Sequence, residues 1–167
     1  MTQVLVNKLC ERFAVEEGGV KLYDAILAKL SAGKITDRLT RFRRDEAAHR
    51  DLLAQYLDKL DVATDARETP AAILARHEGE AFLKLIAEAD GPSQVLNILL
   101  TVELMDENGW ELLINLGRDC GDSELVSTFE RCLRDEKDHL RAIRGMVAED
   151  ARLSLESESE TEKTLPV

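Results

Sequence analysis

Four long stretches of this chain carry an apolar seam at alternating 4,3 spacing, and a glutamate interrupts each seam near its middle. The first seam is Leu9, Phe13, Glu16, Val20, Tyr23, Leu27 and Leu30. The second is Ile35, Leu39, Phe42, Glu46, His49, Leu53, Tyr56 and Leu60. A later one is Leu96, Leu100, Glu103, Glu107, Trp110, Ile114 and Gly117, and the last is Leu125, Phe129, Cys132, Glu136, His139, Ile143 and Met146. That spacing is the mark of helices packed side by side. The seams therefore predict an all-α, antiparallel four-helix bundle.

Punctuation along the chain sets the expected elements. A first helix over residues 2–32 stops at Gly33, read as its C-terminal cap. A second covers 36–60. Thr69 and Pro70 read as the N-cap and first residue of a shorter third helix, ending near Ala89. A fourth runs over 92–116. Asp122 or Ser123 caps the fifth, which runs to about residue 153. Tight turns make each long pair an antiparallel hairpin, and the short helix becomes a crossover between the pairs. One domain over 1–153 results. The tail over 154–167 alternates acid and hydroxyl residues without an apolar face and is expected to be disordered.

Composition narrows the function classes. A net charge of -11 among 167 residues argues against nucleic acid and anionic lipid as partners. The longest apolar run is too short to span a membrane. Cys10, Cys120 and Cys132 form no CxxC pair, and the N-terminus lacks the pattern of a signal peptide. Reduced thiols in a cytoplasmic protein are the expectation.

The chemistry lies in the interruptions. Arg-Asp-Glu-x-x-His occurs at Arg44 to His49 and again, ninety residues later, at Arg134 to His139. A Glu at i and a His at i+3 project from one face of a helix. Four carboxylates in one core would largely protonate unless cations neutralised them. Two divalent ions would do so, with two neutral imidazoles completing the set. Glu16 precedes Glu46 by thirty residues and Glu103 precedes Glu136 by thirty-three, which predicts one hairpin used twice about a pseudo-two-fold axis.

With these residues in place, the chain over about 3–152 resembles the ferritin-like di-iron carboxylate superfamily, whose pattern is a Glu from each of two helices and Glu-x-x-His from each of the other two. The spacing of Glu16 and Tyr23 is most similar to rubrerythrin-type domains, here without a rubredoxin module. The resemblance implies two iron ions, or manganese or zinc, held by Glu16, Glu46, His49, Glu103, Glu136 and His139. Glu46 and Glu136 would bridge, while Glu16 and Glu103 would be terminal. It implies crossed hydrogen bonds, Asp45 to His139 and Asp135 to His49, that orient the imidazoles. Such domains carry an extra carboxylate one turn past the Glu103 position. Asp106 and Glu107 both answer to it, and seam phase favours Glu107; either, or neither, is an extra ligand. Tyr23 and Trp110 pack within reach of the site.

Other polar or small residues read as follows. Gly19, one turn past Glu16, either leaves space for a substrate, lets the helix bulge, or permits close packing; Gly18 beside it is a second costly mid-helix glycine. Cys132 reads as a buried small hydrophobe, and His77 lies off the repeat.

The implied activity is an oxidoreductase that reduces hydrogen peroxide or dioxygen, supplied with electrons by a separate donor protein. A ferroxidase handling iron(II) and a metal-stapled helical binding module are the alternatives, with a hydroxylase or desaturase ranked lower. A homodimer or higher homo-oligomer is expected.

Overall fold

The computed structural model describes residues 2–164. Among them, every regular element is helical: α1 (Gln3–Lys29), α2 (Lys34–Lys59), α3 (Pro70–Glu88), α4 (Pro92–Asp119) and α5 (Ser123–Thr164), with a 3-10 turn at Thr64–Arg67. None of these helices is long and apolar enough to cross a membrane.

Local chemistry sets the boundaries. Thr69 Oγ1 accepts from the Ala72 N–H at 3.2 Å, and Pro70 opens α3 where its missing N–H costs nothing. Asp122 Oδ1 accepts from the Leu125 N–H at 2.9 Å and caps α5. Gly121, at φ 70°, makes the turn before it. The reading of Gly33 as a cap for α1 does not hold. Helix α1 ends earlier, on an extended Leu30, and Gly33 is the N-cap of α2. There its N–H donates to Thr36 Oγ1 at 2.8 Å.

The buried apolar side chains form two clusters. One holds Leu5, Leu9, Leu53, Tyr56, Trp110, Ile114, Leu125 and Phe129; the other holds Leu22, Ile26, Leu39, Val95, Leu99 and Ile143. Along α1 and α5 the chain passes from the first cluster to the second; along α2 and α4 it passes the other way. Neighbours α1 and α2 are therefore antiparallel, as are α4 and α5. Arg43 pairing with Asp24 and Lys137 pairing with Glu111 tie the two hairpins. On every one of these helices, the residues between the clusters are the seam glutamates.

Helix α3 is more than a connector. It lies along α1, burying Ala72, Ala75 and Ile86, and Gly79 brings its Cα close to Gly18 of α1. A Cβ at either glycine would meet the other only at an ordinary contact distance, so the pair keeps its poor helix propensity of about 1 kcal/mol each relative to Ala.

The C-terminal end differs from expectation. Helix α5 continues without a break to Thr164, so residues 154–164 are helical, while 165–167 lie outside the described residues. The reason is local. Arg152 reaches both Glu149 at 2.5 Å and Glu156, pairs at i,i+3 and i,i+4 that support a helix. Leu153 and Leu155 are exposed there.

Candidate metal centre

Glu16 of α1, Glu46 and His49 of α2, Glu103 of α4, and Glu136 and His139 of α5 are all buried, none more than 3% exposed. They meet because the seam phase turns each inward at the level between the apolar clusters. Glu136 faces both imidazoles. Its Oε1 lies 2.8 Å from His49 Nδ1 and its Oε2 lies 3.2 Å from His139 Nδ1. Glu16 Oε2 is 3.7 Å from His49 Nδ1, and Glu103 Oε2 is 3.7 Å from His139 Nδ1. Glu46 Oε1 is 3.5 Å from His139 Nδ1.

The outer nitrogens are already occupied. His139 Nε2 meets Asp45 Oδ2 at 3.2 Å, and His49 Nε2 meets Asp135 Oδ2 at 3.3 Å. Each aspartate crosses to the histidine of the other hairpin. The carboxylates accept the Nε2 hydrogens, so Nδ1 is the nitrogen each ring turns inward and the one that must shed its proton to meet a cation.

Eight polar atoms at this level lack a hydrogen-bond partner among the described residues: Glu16 Oε2, both Glu46 oxygens, His49 Nδ1, Glu103 Oε2, both Glu136 oxygens and His139 Nδ1. They approach one another off the hydrogen-bonding line. Native proteins rarely leave buried polar atoms unsatisfied, and each such group costs about 1–3 kcal/mol, more when charged. The same atoms form sets whose members all lie within 4.8 Å of one another: Glu46, Glu103, Glu136 and His139 in one, Glu16, His49 and Glu136 in another. Hard carboxylate oxygens and borderline imidazoles suit iron, manganese or zinc. The donor set fits two divalent cations.

Electrostatics without a cation are strained. Burial, with the facing glutamates adding repulsion, raises the pKa of Glu16 and Glu103 well above the ordinary range, against the pull of Arg12 on Glu16 and of His139 on Glu103. Burial and Glu136 together raise Glu46. Burial opposes charge on His49, but its contacts with Cys132 and Glu136 and the field of Glu16 outweigh it and push it up to about 12. His139 moves the same way, through Asp45, Glu136 and Glu46. Glu136, between two imidazoles, drops to about 2 despite its burial. The protein thus holds protons on groups that would become ligands.

One site residue, Arg12, was not legible as such. Arg12 is 4% exposed and joins the centre from α1. Its Nε donates to Glu16 Oε1 at 3.0 Å, and its Nη2 donates to Asp106 Oδ1. The available signal is its i,i+4 relation to Glu16, since a residue one turn from a core glutamate shares its face. Asp106, and not Glu107, is the inward carboxylate of α4, contrary to the seam phase. Glu107 turns outward and lies 3.9 Å from Lys137 Nζ. The buried stripe of α4 is Leu96, Leu99, Glu103, Asp106, Trp110, Leu113 and Gly117, so Leu100 and Glu107 fall off it. Arg12 across the interface selects Asp106.

Tyr23 donates its hydroxyl to Glu103 Oε1, which makes it a contact of the centre as well as a packing residue. Trp110 sets its ring 5.7 Å from His49, edge-on, and 5.3 Å from the Arg12 guanidinium. A Cβ at Gly19 would fall 2.6 Å from Glu46 Oε2. The space Gly19 leaves belongs to that carboxylate, and α1 runs through it without a bulge. Cys132 is fully buried, Cys120 is exposed, and His77 is exposed on α3, away from the cluster.

Compared with protein-family models, with curated proteins and with solved structures, the chain shows no match.

Proposed function

We propose that this chain is a ferritin-like, antiparallel four-helix bundle whose centre binds two iron ions and reduces hydrogen peroxide or dioxygen. The observation that carries the reading is the convergence of eight unsatisfied carboxylate and imidazole atoms from four helices onto one buried level. When bound, an iron pair would supply the two electrons that reduce the oxidant, and the buried carboxylates would balance its charge.

The residues divide the work. Glu136 lies against both histidines and Glu46 faces it, so these two would be shared by the ions, while Glu16 with His49 and Glu103 with His139 would each hold one. Asp45 and Asp135 fix the imidazole tautomers. Tyr23 keeps one oxygen of Glu103 engaged and stays protonated, since burial and the charge of Glu103 raise its pKa well above 10. The apolar clusters on either side exclude water from the reacting level. Electrons come from a separate donor protein.

Loading with iron(II) under anaerobic conditions, followed by peroxide or dioxygen, tests the reading. Fast oxidation with a new near-ultraviolet to visible band is expected. Iron that binds but oxidises no faster than free iron(II) would leave a structural metal site and overturn the catalytic reading.

A further inference from the structure

The two hairpins present matching carboxylates, Glu16 and Glu103, but restrain them differently. Glu16 Oε1 accepts from Arg12 Nε at 3.0 Å, and Arg12 Nη2 lies 2.9 Å from the same oxygen as an ion pair. Glu103 Oε1 accepts from the neutral Tyr23 hydroxyl. In each case Oε2 is the oxygen left free of hydrogen bonds and turned to the centre. One half of a pseudo-symmetric site is therefore clamped by a full positive charge and the other by a phenol.

Arg12 is built into this place. Its Nη2 reaches Asp106 Oδ1 and its Nη1 reaches the Asp106 carbonyl at 3.4 Å. Gly109 makes the room, because a Cβ there would collide with Arg12 Nη1. The grouping of donors differs too. Four residues converge within 4.8 Å around Glu103 and His139, but three around Glu16 and His49. Asp106 also comes within that distance of Glu16, Glu46 and Glu136. With Arg12 on its Oδ1, it acts as the counter-ion of the guanidinium.

We infer that Arg12 makes the centre unequal: the Glu103–His139 half takes the first divalent cation, and the Glu16–His49 half takes the second more weakly. This rests on the dinuclear reading above. A guanidinium hydrogen-bonded to one oxygen of a ligand carboxylate withdraws charge from the other and repels the incoming cation at short range, in a medium that screens poorly. Arg12 is a positioning residue that sets metal order, not a ligand.

Cobalt(II) titration of the full-length apo protein, followed by calorimetry and visible absorption, tests this. Two steps separated by roughly tenfold or more in affinity are expected, in line with the 10–100-fold effect of groups that contact ligands. His139→Ala should remove the tight step and His49→Ala the weak one; the reverse assignment overturns the inference. Arg12→Gln should tighten the weak step, Arg12→Lys should keep it weak, and Asp106→Asn should weaken it further by exposing the guanidinium charge. A purely structural role for the pair predicts weakening by Arg12→Gln as well. A ligand role for Asp106 predicts that Arg12→Gln/Asp106→Asn binds as weakly as Asp106→Asn; the inference predicts wild-type or tighter binding. Two equal steps, unmoved by Arg12→Gln, sink the inference alone. No cobalt binding at all sinks the dinuclear reading beneath it.

Discussion

Asp45 Oδ2 of α2 lies 3.2 Å from His139 Nε2 of α5, and so fixes which imidazole nitrogen faces the centre. The reciprocal contact joins Asp135 to His49. Asp45→Asn puts an amide where a pure acceptor stood and favours the wrong tautomer. Metal affinity should fall by about 10- to 100-fold, with little change in the melting temperature of the apo protein, because the Asp45 side chain is half exposed. Calorimetric titration of the variant checks this, and Asp135→Asn should behave alike.

Gly18 and Gly19 separate packing from site geometry within two adjacent residues. A Cβ at 18 meets only the Gly79 Cα at 4.0 Å, an ordinary contact. Gly18→Ala should raise stability by up to about 1 kcal/mol through helix propensity, with metal binding intact. A Cβ at 19 would press on Glu46 Oε2 at 2.6 Å. Gly19→Ala should keep the helix and lose metal affinity, as thermal melts with and without metal would record.

Proton release should accompany metal binding. Without metal, His49 holds its proton up to about 12, and the pKa values of Glu16, Glu46 and Glu103 are raised. A ligand must shed its proton to coordinate. Apparent affinity therefore rises with pH and falls as acid returns those protons. Calorimetry at pH 7 in buffers of different ionisation enthalpy should give a slope of more than one proton released per chain; a zero slope contradicts the assignment.

Metal should also stabilise the fold. Binding at a free-metal concentration of 100 times Kd contributes about 2.7 kcal/mol per site. For a domain of this size that is a rise of roughly 5–10 °C in Tm. Glu46→Gln relieves the repulsion between the buried Glu46 and Glu136 carboxylates, so it should raise the apo Tm and shrink the metal-induced increment. Differential scanning calorimetry with added metal and with chelator measures both.

Much of this was legible because the seam and the polar layer share one period. Glu16, Glu46, Glu103 and Glu136 each sit in phase with apolar neighbours, and a Glu-x-x-His in that phase has one direction to point. The α4 carboxylate was not legible from phase. Positions 106 and 107 both lie near the seam, and a partner on another helix, Arg12, decides between them. Arg12 itself reads as a surface cation until its i,i+4 neighbour is known to be buried. Gly33 marks the same turn under either reading, and only backbone geometry shows which helix it caps. The continuation of α5 past residue 153 is supported by exposed ion pairs of Arg152 with Glu149 and Glu156, which an apolar-periodicity reading ignores.

Elemental analysis of the full chain, loaded anaerobically with iron(II) and desalted, addresses the central claim most directly. Two iron ions per chain are expected, falling to one or fewer in both His49→Ala and His139→Ala. Retention of no iron, manganese or zinc by a folded wild-type protein, or undiminished retention in those two variants, contradicts a dinuclear centre at these residues.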